Sequence, residues 1–310
     1  MPAKASRNTG GHRGNHNGRA PKGILALDID GTLTGPDGQI GERTRRAVHA
    51  AGESGWLVTI ATGRSWRNTK PVADHLALRV PLVTFNGALI RDSVTAEVLH
   101  YIPLPTEVVG TVVTTLVGLG LQPLVVEDIR QGERYFTGPA EHDSPRTAAW
   151  FEYLQSLNMP IVRMPYEQLA RVGHAVRVTV SPDADKLDTL EALASQRQEE
   201  FRSITYDGLD EQSYVVEFTH PSSTKASALR WLARQYGLDM NDVVAVGDGI
   251  NDVEMLAEAG FGVAMGNASE RVRAEAELVI GHHMDEGLAE FVEEHLIDAP
   301  SVPALQRLIG

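Results

Sequence analysis

Two aspartates, Asp28 and Asp30, stand at the end of an apolar run in the stretch "LALDIDGTLTG" (25–35). Side chains two apart on an extended strand point the same way, so these carboxylates crowd one another. Like charges at that range raise one another's pKa unless a cation or hydrogen-bond donors neutralise them. The pair therefore reads as a metal site or as an acid and a base working together. Gly31 and Thr32 follow at once and let the backbone turn closely around whatever sits there. The same letters also fit a plainer pattern, in which Asp28 ends the strand and Asp-Gly-Thr is a turn.

Three further clusters repeat the theme of a strand running into polar residues. In "ATGRS" (61–65), Thr62 offers a hydroxyl and neighbouring N–H groups beside the opening of a helix, an arrangement that takes a phosphoryl oxygen. A threonine before a helix is also an ordinary N-cap. In "PSSTKASAL" (221–229), Lys225 falls in the first turn of a helix, where the dipole prefers an anion. Partnership with the carboxylates and a phosphate explains a cation there, and so does solvation at the surface. In "VVAVGDGINDVEML" (243–256), Asp248 lies on the loop after a strand, and Asn251 and Asp252 begin the next helix. Carboxylates at spacing four with glycines between them fit oxygen coordination of a hard cation, while a capped loop is the structural alternative. The chain has no cysteine, so thiolate ligands and disulfides are excluded and the remaining oxygen donors favour Mg²⁺.

The elements that must carry these clusters alternate in type. From Gly23 the strand "GILALDI" is followed by a helix around Glu42–Ser54, the strand "WLVTIA" (56–61), a helix from Ser65 and the strand "LVTFN" (82–86). The alternation resumes with a helix over Lys225–Tyr236, the strand "VVAV" (243–246), a helix over Asp252–Ala259, the strand Gly262–Met265, a short helix from Ser269, the strand "ELVI" and a last helix near Glu286–His295. Short β-branched runs separated by helical patterns predict βαβ units in an α/β, doubly wound, mostly parallel Rossmann-like sheet. Between the halves, "PLVVEDI", "RYFTG", "IVRMP", "HAVRVTVS", "FRSITYDG" and "YVVEFTH", with helical stretches at Pro145–Leu157 and Ala184–Gln198, predict an inserted α+β cap domain with a largely antiparallel sheet. The expected division is a basic tail over 1–22, a core over 23–102 and 220–310, and the cap over 103–219. In open α/β sheets the ligand crevice lies beyond the carboxyl ends of the strands, and all four clusters sit at, or fold back to, that rim. Together they predict carboxylates that hold a divalent cation, with one of them attacking phosphorus.

Composition narrows the partners. A chain of 310 residues that is 42% hydrophobic and 22% charged is globular. The net charge of −13 conceals an asymmetry, because residues 1–22 hold five bases and no acid, leaving −18 on the rest. An acidic body does not offer the positive stripe that a phosphate backbone needs, so nucleic acid is not an expected partner. The Gly- and Asn-rich leader has the composition of a disordered tail. With no long apolar run and no secretory signal pattern, the expectation is a cytoplasmic protein without membrane contact.

The ordered set "DIDGT" (28–32), "TGR" (62–64), Lys225 and "GDGIND" (247–252) resembles the haloacid dehalogenase superfamily of phosphohydrolases. The large insertion before the lysine is similar to that of the Cof-type branch with a type II cap, as are "NGA" (86–88) and "GVAMGNA" (262–268). The resemblance covers about residues 23–297 and implies a magnesium-dependent phosphatase acting on a small phosphorylated metabolite, such as a sugar phosphate or phosphoglycolate-like phosphomonoester. By that resemblance Asp28 forms an aspartyl-phosphate, Asp30 is the general acid and base, and Thr62 and Lys225 hold the phosphoryl oxygens. Asp28, Asp30 through its carbonyl, Asp248 and Asp252 hold Mg²⁺, and Gly31, Thr32, Gly63, Arg64, Asn86, Gly87 and Asn251 surround the substrate. The same core also serves a phosphomutase or phosphotransferase, and a non-catalytic phospho-ligand-binding regulator is the third reading. Arg130, Arg134, Tyr135, Arg163 and Tyr206 are the cap candidates for reading the leaving group, though such residues on a small sheet also pack or face solvent. One departure from the branch is "VIGHHMDEGLAEF" (279–291), where an Asn/Asp-rich segment is usual; His282 and His283 either line the rim or lie on the surface. The expected assembly is a monomer or small homo-oligomer.

Overall fold

The computed structural model describes residues 20–35, 37–128, 132–207, 214–299 and 301–309. Most of the basic leader (1–19) and Arg130 therefore lie outside the described residues. The strands, in chain order, are β1 (Ile24–Leu27), β2 (Leu57–Ile60), β3 (Leu82–Thr84), β4 (Leu89–Arg91), β5 (Val98–Tyr101), β6 (Leu124–Glu127), β7 (Arg134–Thr137), β8 (Ile161–Arg163), β9 (Ala175–Val180), β10 (Arg202–Asp207), β11 (Tyr214–Thr219), β12 (Val243–Gly247), β13 (Phe261–Ala264) and β14 (Leu278–Val279). The described residues divide into two compact units, the first taking those up to Thr59, His75–Pro81 and those from Leu229, the second taking those within Ile60–Asp74 and Leu82–Ala228.

The first unit is built on the sheet β14-β13-β12-β1-β2. Its pairs β1–β12, β12–β13 and β13–β14 are all parallel. Every residue of β1 and β12 is buried, which is why both strands read as unbroken apolar runs: a parallel sheet is covered on both faces. The helix Glu42–Glu53 buries Thr44, Ala47, Val48 and Ala51 along one stripe, and Gly55 at φ 105° reverses the chain after it. Trp56 anchors the entry to β2, with no exposed surface and its indole N–H donating to Leu296 O at 2.9 Å.

The second unit carries the sheet β10-β11-β9-β6-β7-β8, antiparallel except for the β7–β8 pair, and the antiparallel sheet β3-β4-β5. Alternate residues of the larger sheet enter opposite cores. Val125, Phe136 and Phe218 pack with the helix Thr106–Gly118, whereas Leu124, Val126 and Tyr135 pack with Phe85, Leu89 and the helix Pro145–Ser156. The helix Thr106–Gly118 and the strands β4 and β5 have no counterpart in the sequence reading. "TEVVGTVVTTLVG" is rich in β-branched residues and glycine, so its local propensity argues against a helix; burial of Val108, Val109, Val112, Val113 and Leu116 on one face overrides it.

Where the smaller sheet and β6 end, Asp128 is fully buried and accepts from the Arg91 guanidinium. Burial pushes this carboxyl up to about 7, with Arg91 pulling down and Glu133 adding to the rise. The folded chain thus holds a proton that the unfolded chain has lost above its ordinary carboxylate range. That contribution is complete at low pH and is lost as pH rises towards 7. Comparing urea unfolding of the wild type with Asp128→Asn between pH 4 and 7 should give a wild-type stability that falls relative to the variant by up to about 1.4 kcal/mol per pH unit. Parallel pH profiles would show that Asp128 titrates normally.

Candidate active site

β1 delivers Asp28 at its carboxyl end, where the Asp28 N–H donates to Val246 O of β12 at 3.1 Å. The chain then turns through Ile29–Leu33 with Gly31 at φ 75°. Glycine is required here twice over, because a Cβ at this position would lie 2.2 Å from Asp248 Oδ2. β12 ends one residue before Asp248. The Asp252 carboxylate folds back to accept the N–H groups of Asp248 and Gly249 at 3.0 and 2.8 Å, so it shapes the loop that it follows. Asp248 is held at both oxygens, Oδ1 by the Thr32 hydroxyl at 3.0 Å and Oδ2 by the Asn267 amide at 2.9 Å.

The result is a group of three carboxylates, Asp28, Asp248 and Asp252, with one oxygen of each lying within 4.8 Å of the others. Asp28 is 6% exposed and Asp252 is fully buried. Asp248 between them is partly buried, and such a concentration of carboxylate oxygens fits a hard, oxygen-loving divalent cation. Asp30 is exposed and its carboxylate is outside this group, so its expected part in metal binding rests on its main-chain carbonyl alone. Asn251, partly buried, is the middle residue of the turn Ile250–Asp252.

Thr62, Gly63, Arg64, Asn86, Gly87 and Lys225 belong to the second unit. Thr62 is 1% exposed, and its hydroxyl accepts the Arg64 N–H at 3.1 Å in a local turn. The helix starts later, at Trp66, so Thr62 is not its N-cap. Its carbonyl accepts the Asn86 N–H at 3.0 Å. Phe85, Asn86 and Gly87 all have positive φ (50°, 53° and 95°), a run of left-handed residues that costs about 1–3 kcal/mol at each non-glycine position and clusters at functional sites. Gly87 presses on the main chain of Thr224, where a Cβ would come within 2.1 Å of the carbonyl oxygen. Thr224 caps the following helix by accepting the Ser227 N–H at 2.9 Å, which sets Lys225 in the first turn. Lys225 is 1% exposed, which excludes the solvated surface lysine.

Beneath these loops lies a buried polar cluster that the sequence did not disclose. Arg177 of β9 pairs with Glu217 of β11, donates to Gly63 O at 3.4 Å and stacks over Phe85 at 4.9 Å. Asn86 Nδ2 donates to Tyr206 OH at 2.7 Å and to Glu217 at 3.4 Å. Burial raises the Glu217 carboxyl, opposed by Arg177 and by the Asn86 amide. Of the cap candidates, only Tyr206 thus meets an expected site residue among the described contacts. Tyr135 is buried with its hydroxyl on Glu133, Arg163 chelates Asp143 and covers Phe151, and Arg134 pairs with Glu127. His282 and His283 lie near one another, ring centroids 4.6 Å apart, and the His283 N–H donates to Asn267 Oδ1 at 3.2 Å.

A family-wide profile of haloacid dehalogenase-like hydrolases matches residues 25–292, and the chain belongs to that family. It is 30% identical to a pyridoxal phosphate phosphatase of Escherichia coli over 88% of this chain and 98% of that protein. It is 28% identical to an HMP-PP phosphatase of Escherichia coli over 90% of this chain and 97% of that one. The fold matches that of a haloacid dehalogenase-like hydrolase from Bacteroides thetaiotaomicron with a TM-score of 0.71 at 26% identity, covering 87% of this chain and 98% of the other. Among the described residues no helix is long and apolar enough to cross a membrane.

Breaking the Arg177–Glu217 pair from one side leaves a buried charge without compensation. Arg177→Met should lower the unfolding free energy in urea by about 3–5 kcal/mol, and the double variant Arg177→Met/Glu217→Gln should regain most of it. Equal losses in the single and double variants would mean that the guanidinium acts by packing alone.

Proposed function

We propose that the protein is a magnesium-dependent phosphatase that hydrolyses small phosphomonoesters through an aspartyl-phosphate. The observation that carries the reading is the convergence of Asp28, Asp248 and Asp252 at the ends of adjacent parallel strands. Family membership and the phosphatase names of two relatives support it. Bound among these carboxylates, Mg²⁺ supplies neutralisation of phosphoryl charge.

In this reading an Asp28 carboxylate oxygen forms a bond to phosphorus as the ester P–O bond breaks, and Asp30 gives its proton to the departing alkoxide. Asp30 then takes a proton from water, whose oxygen attacks phosphorus and releases inorganic phosphate and the Asp28 carboxylate. Exposure of Asp30 suits a group that must meet both the leaving alcohol and water. Thr62 and Lys225 are assigned to the phosphoryl oxygens. A lysine removed from water keeps its charge only beside anions, and such a fixed cation has no reorganisation to undergo during transfer. The residues of β6–β11 are assigned to the cap that selects the alcohol. The substrate class is a small phosphorylated metabolite, with a sugar phosphate or phosphoglycolate-like compound as the first expectation and pyridoxal phosphate brought into the panel by one relative's name. A mutase or a non-catalytic regulator would share the core; retention of both Asp28 and Lys225 favours catalysis over the latter.

Phosphate release from a panel of phosphomonoesters, with and without Mg²⁺, tests the assignment. Asp28→Asn should lower metal-dependent turnover by about 10³-fold or more, and Lys225→Ala by about 10²-fold. Near-normal turnover in Asp28→Asn would remove the nucleophile. Silence of the folded, metal-bound wild type across the panel would favour the mutase or the regulator.

A further inference from the structure

Asn267 lies in the loop after β13, partly buried, and takes no part in the chemistry proposed above. Its side chain is nonetheless fully engaged. One N–H direction of Nδ2 serves Asp248 Oδ2 and the other serves Gly31 O, both at 2.9 Å. Its Oδ1 accepts the His283 N–H at 3.2 Å. The orientation of the amide follows from the partners, because the opposite flip would set its oxygen against a carboxylate and a carbonyl and its N–H₂ against another N–H. A single planar group therefore links the turn after β1, the loop after β12 and the segment around His283.

We propose that Asn267 is a positioning residue for the divalent cation, acting through Asp248 and through the main chain at Gly31. The inference rests on the metal-dependent reading above. Asp248 is gripped from two sides: Thr32 donates to Oδ1 at 3.0 Å and Asn267 to Oδ2 at 2.9 Å, which fixes the plane of the carboxylate. Gly31 packs against the same carboxylate, and its carbonyl is tied by the same amide, so the turn that follows Asp28 and the Asp248 side chain are set by one side chain. Loss of that amide releases the Gly31 carbonyl and leaves the Asp248 side chain held by Thr32 at one oxygen. Groups that orient a ligand from outside the coordination sphere commonly govern metal affinity by 10- to 100-fold. His283 contributes by its main-chain N–H, so the imidazole is dispensable for this role. Its Nδ1 is occupied elsewhere, 3.0 Å from Thr34 O.

The test is calorimetric titration of Mg²⁺ into the full chain, alongside thermal unfolding in chelator, for wild type, Asn267→Ala and Asn267→Leu. Leucine restores the volume without the N–H groups, so it separates hydrogen bonding from packing. Both variants should bind Mg²⁺ about tenfold or more weakly, with metal-free melting close to wild type in the leucine variant. Activity should require correspondingly more Mg²⁺ for half-saturation, while kcat at saturating metal recovers to within a few-fold of wild type. Mg²⁺ affinity within about twofold of wild type in the leucine variant would overturn the inference while leaving the phosphatase reading intact. A wild-type chain that binds no Mg²⁺ would overturn both, and that result is distinguishable because it appears before any substitution is made.

Discussion

Three carboxylates drawn together, two of them buried and the third partly so, are the constraint around which the first unit is arranged. Asp28, Asp248 and Asp252 repel one another, and the burial of Asp28 and Asp252 removes much of the solvent that would screen them. An arrangement of this kind persists if the surrounding structure fixes it and hydrogen-bond donors or a cation offset its charge. The parallel sheet provides the first condition. β1 and β12 are neighbours, all of their residues are buried, and their carboxyl ends project the loops that carry the acids. The main-chain N–H groups of Asp248 and Gly249 partly offset the charge on Asp252, and Thr32 and Asn267 do the same for Asp248.

The second unit shows how polar groups of a different kind are held. Its two sheets enclose apolar cores on both faces of β6, yet Asp128, Arg91, Arg177 and Glu217 are buried or nearly so. Buried ion pairs stabilise little in net terms, because desolvation of both charges offsets most of their attraction. What the Arg177–Glu217 pair provides is geometric: it holds Gly63 and Asn86, the middle residue of the strained left-handed run Phe85 to Gly87. Strain of that kind is tolerated where neighbouring contacts over-determine the backbone, and here those contacts come from β9 and β11.

The approach of Asp28 to Asp248 was legible in the sequence because each of the two follows an apolar strand signature within a residue or two, and parallel strands bring such ends to one rim; Asp252 joins them four residues further along the second loop. The alternation of strands and helices in both halves was legible for the same reason. Asn267 stands in the landmark "GVAMGNA" (262–268), but its role was not legible, since it emerges only when three separate segments are folded onto its amide. The Arg177–Glu217 pair is 40 residues apart in sequence and leaves no local trace. The helix Thr106–Gly118 is not legible locally because its valines and threonines favour a strand, and only burial of one face decides the matter. Local signals thus carried the strand ends, and tertiary contacts carried what holds their side chains in place.

The central claim is that a carboxylate captures the phosphoryl group before water releases it. The most direct measurement is the stereochemical course at phosphorus, using a substrate made chiral there with oxygen isotopes and sulfur and hydrolysed in isotopically labelled water with Mg²⁺. Two successive in-line displacements, first by Asp28 and then by water, predict net retention of configuration. Net inversion would mean a single direct attack by water and would contradict the account.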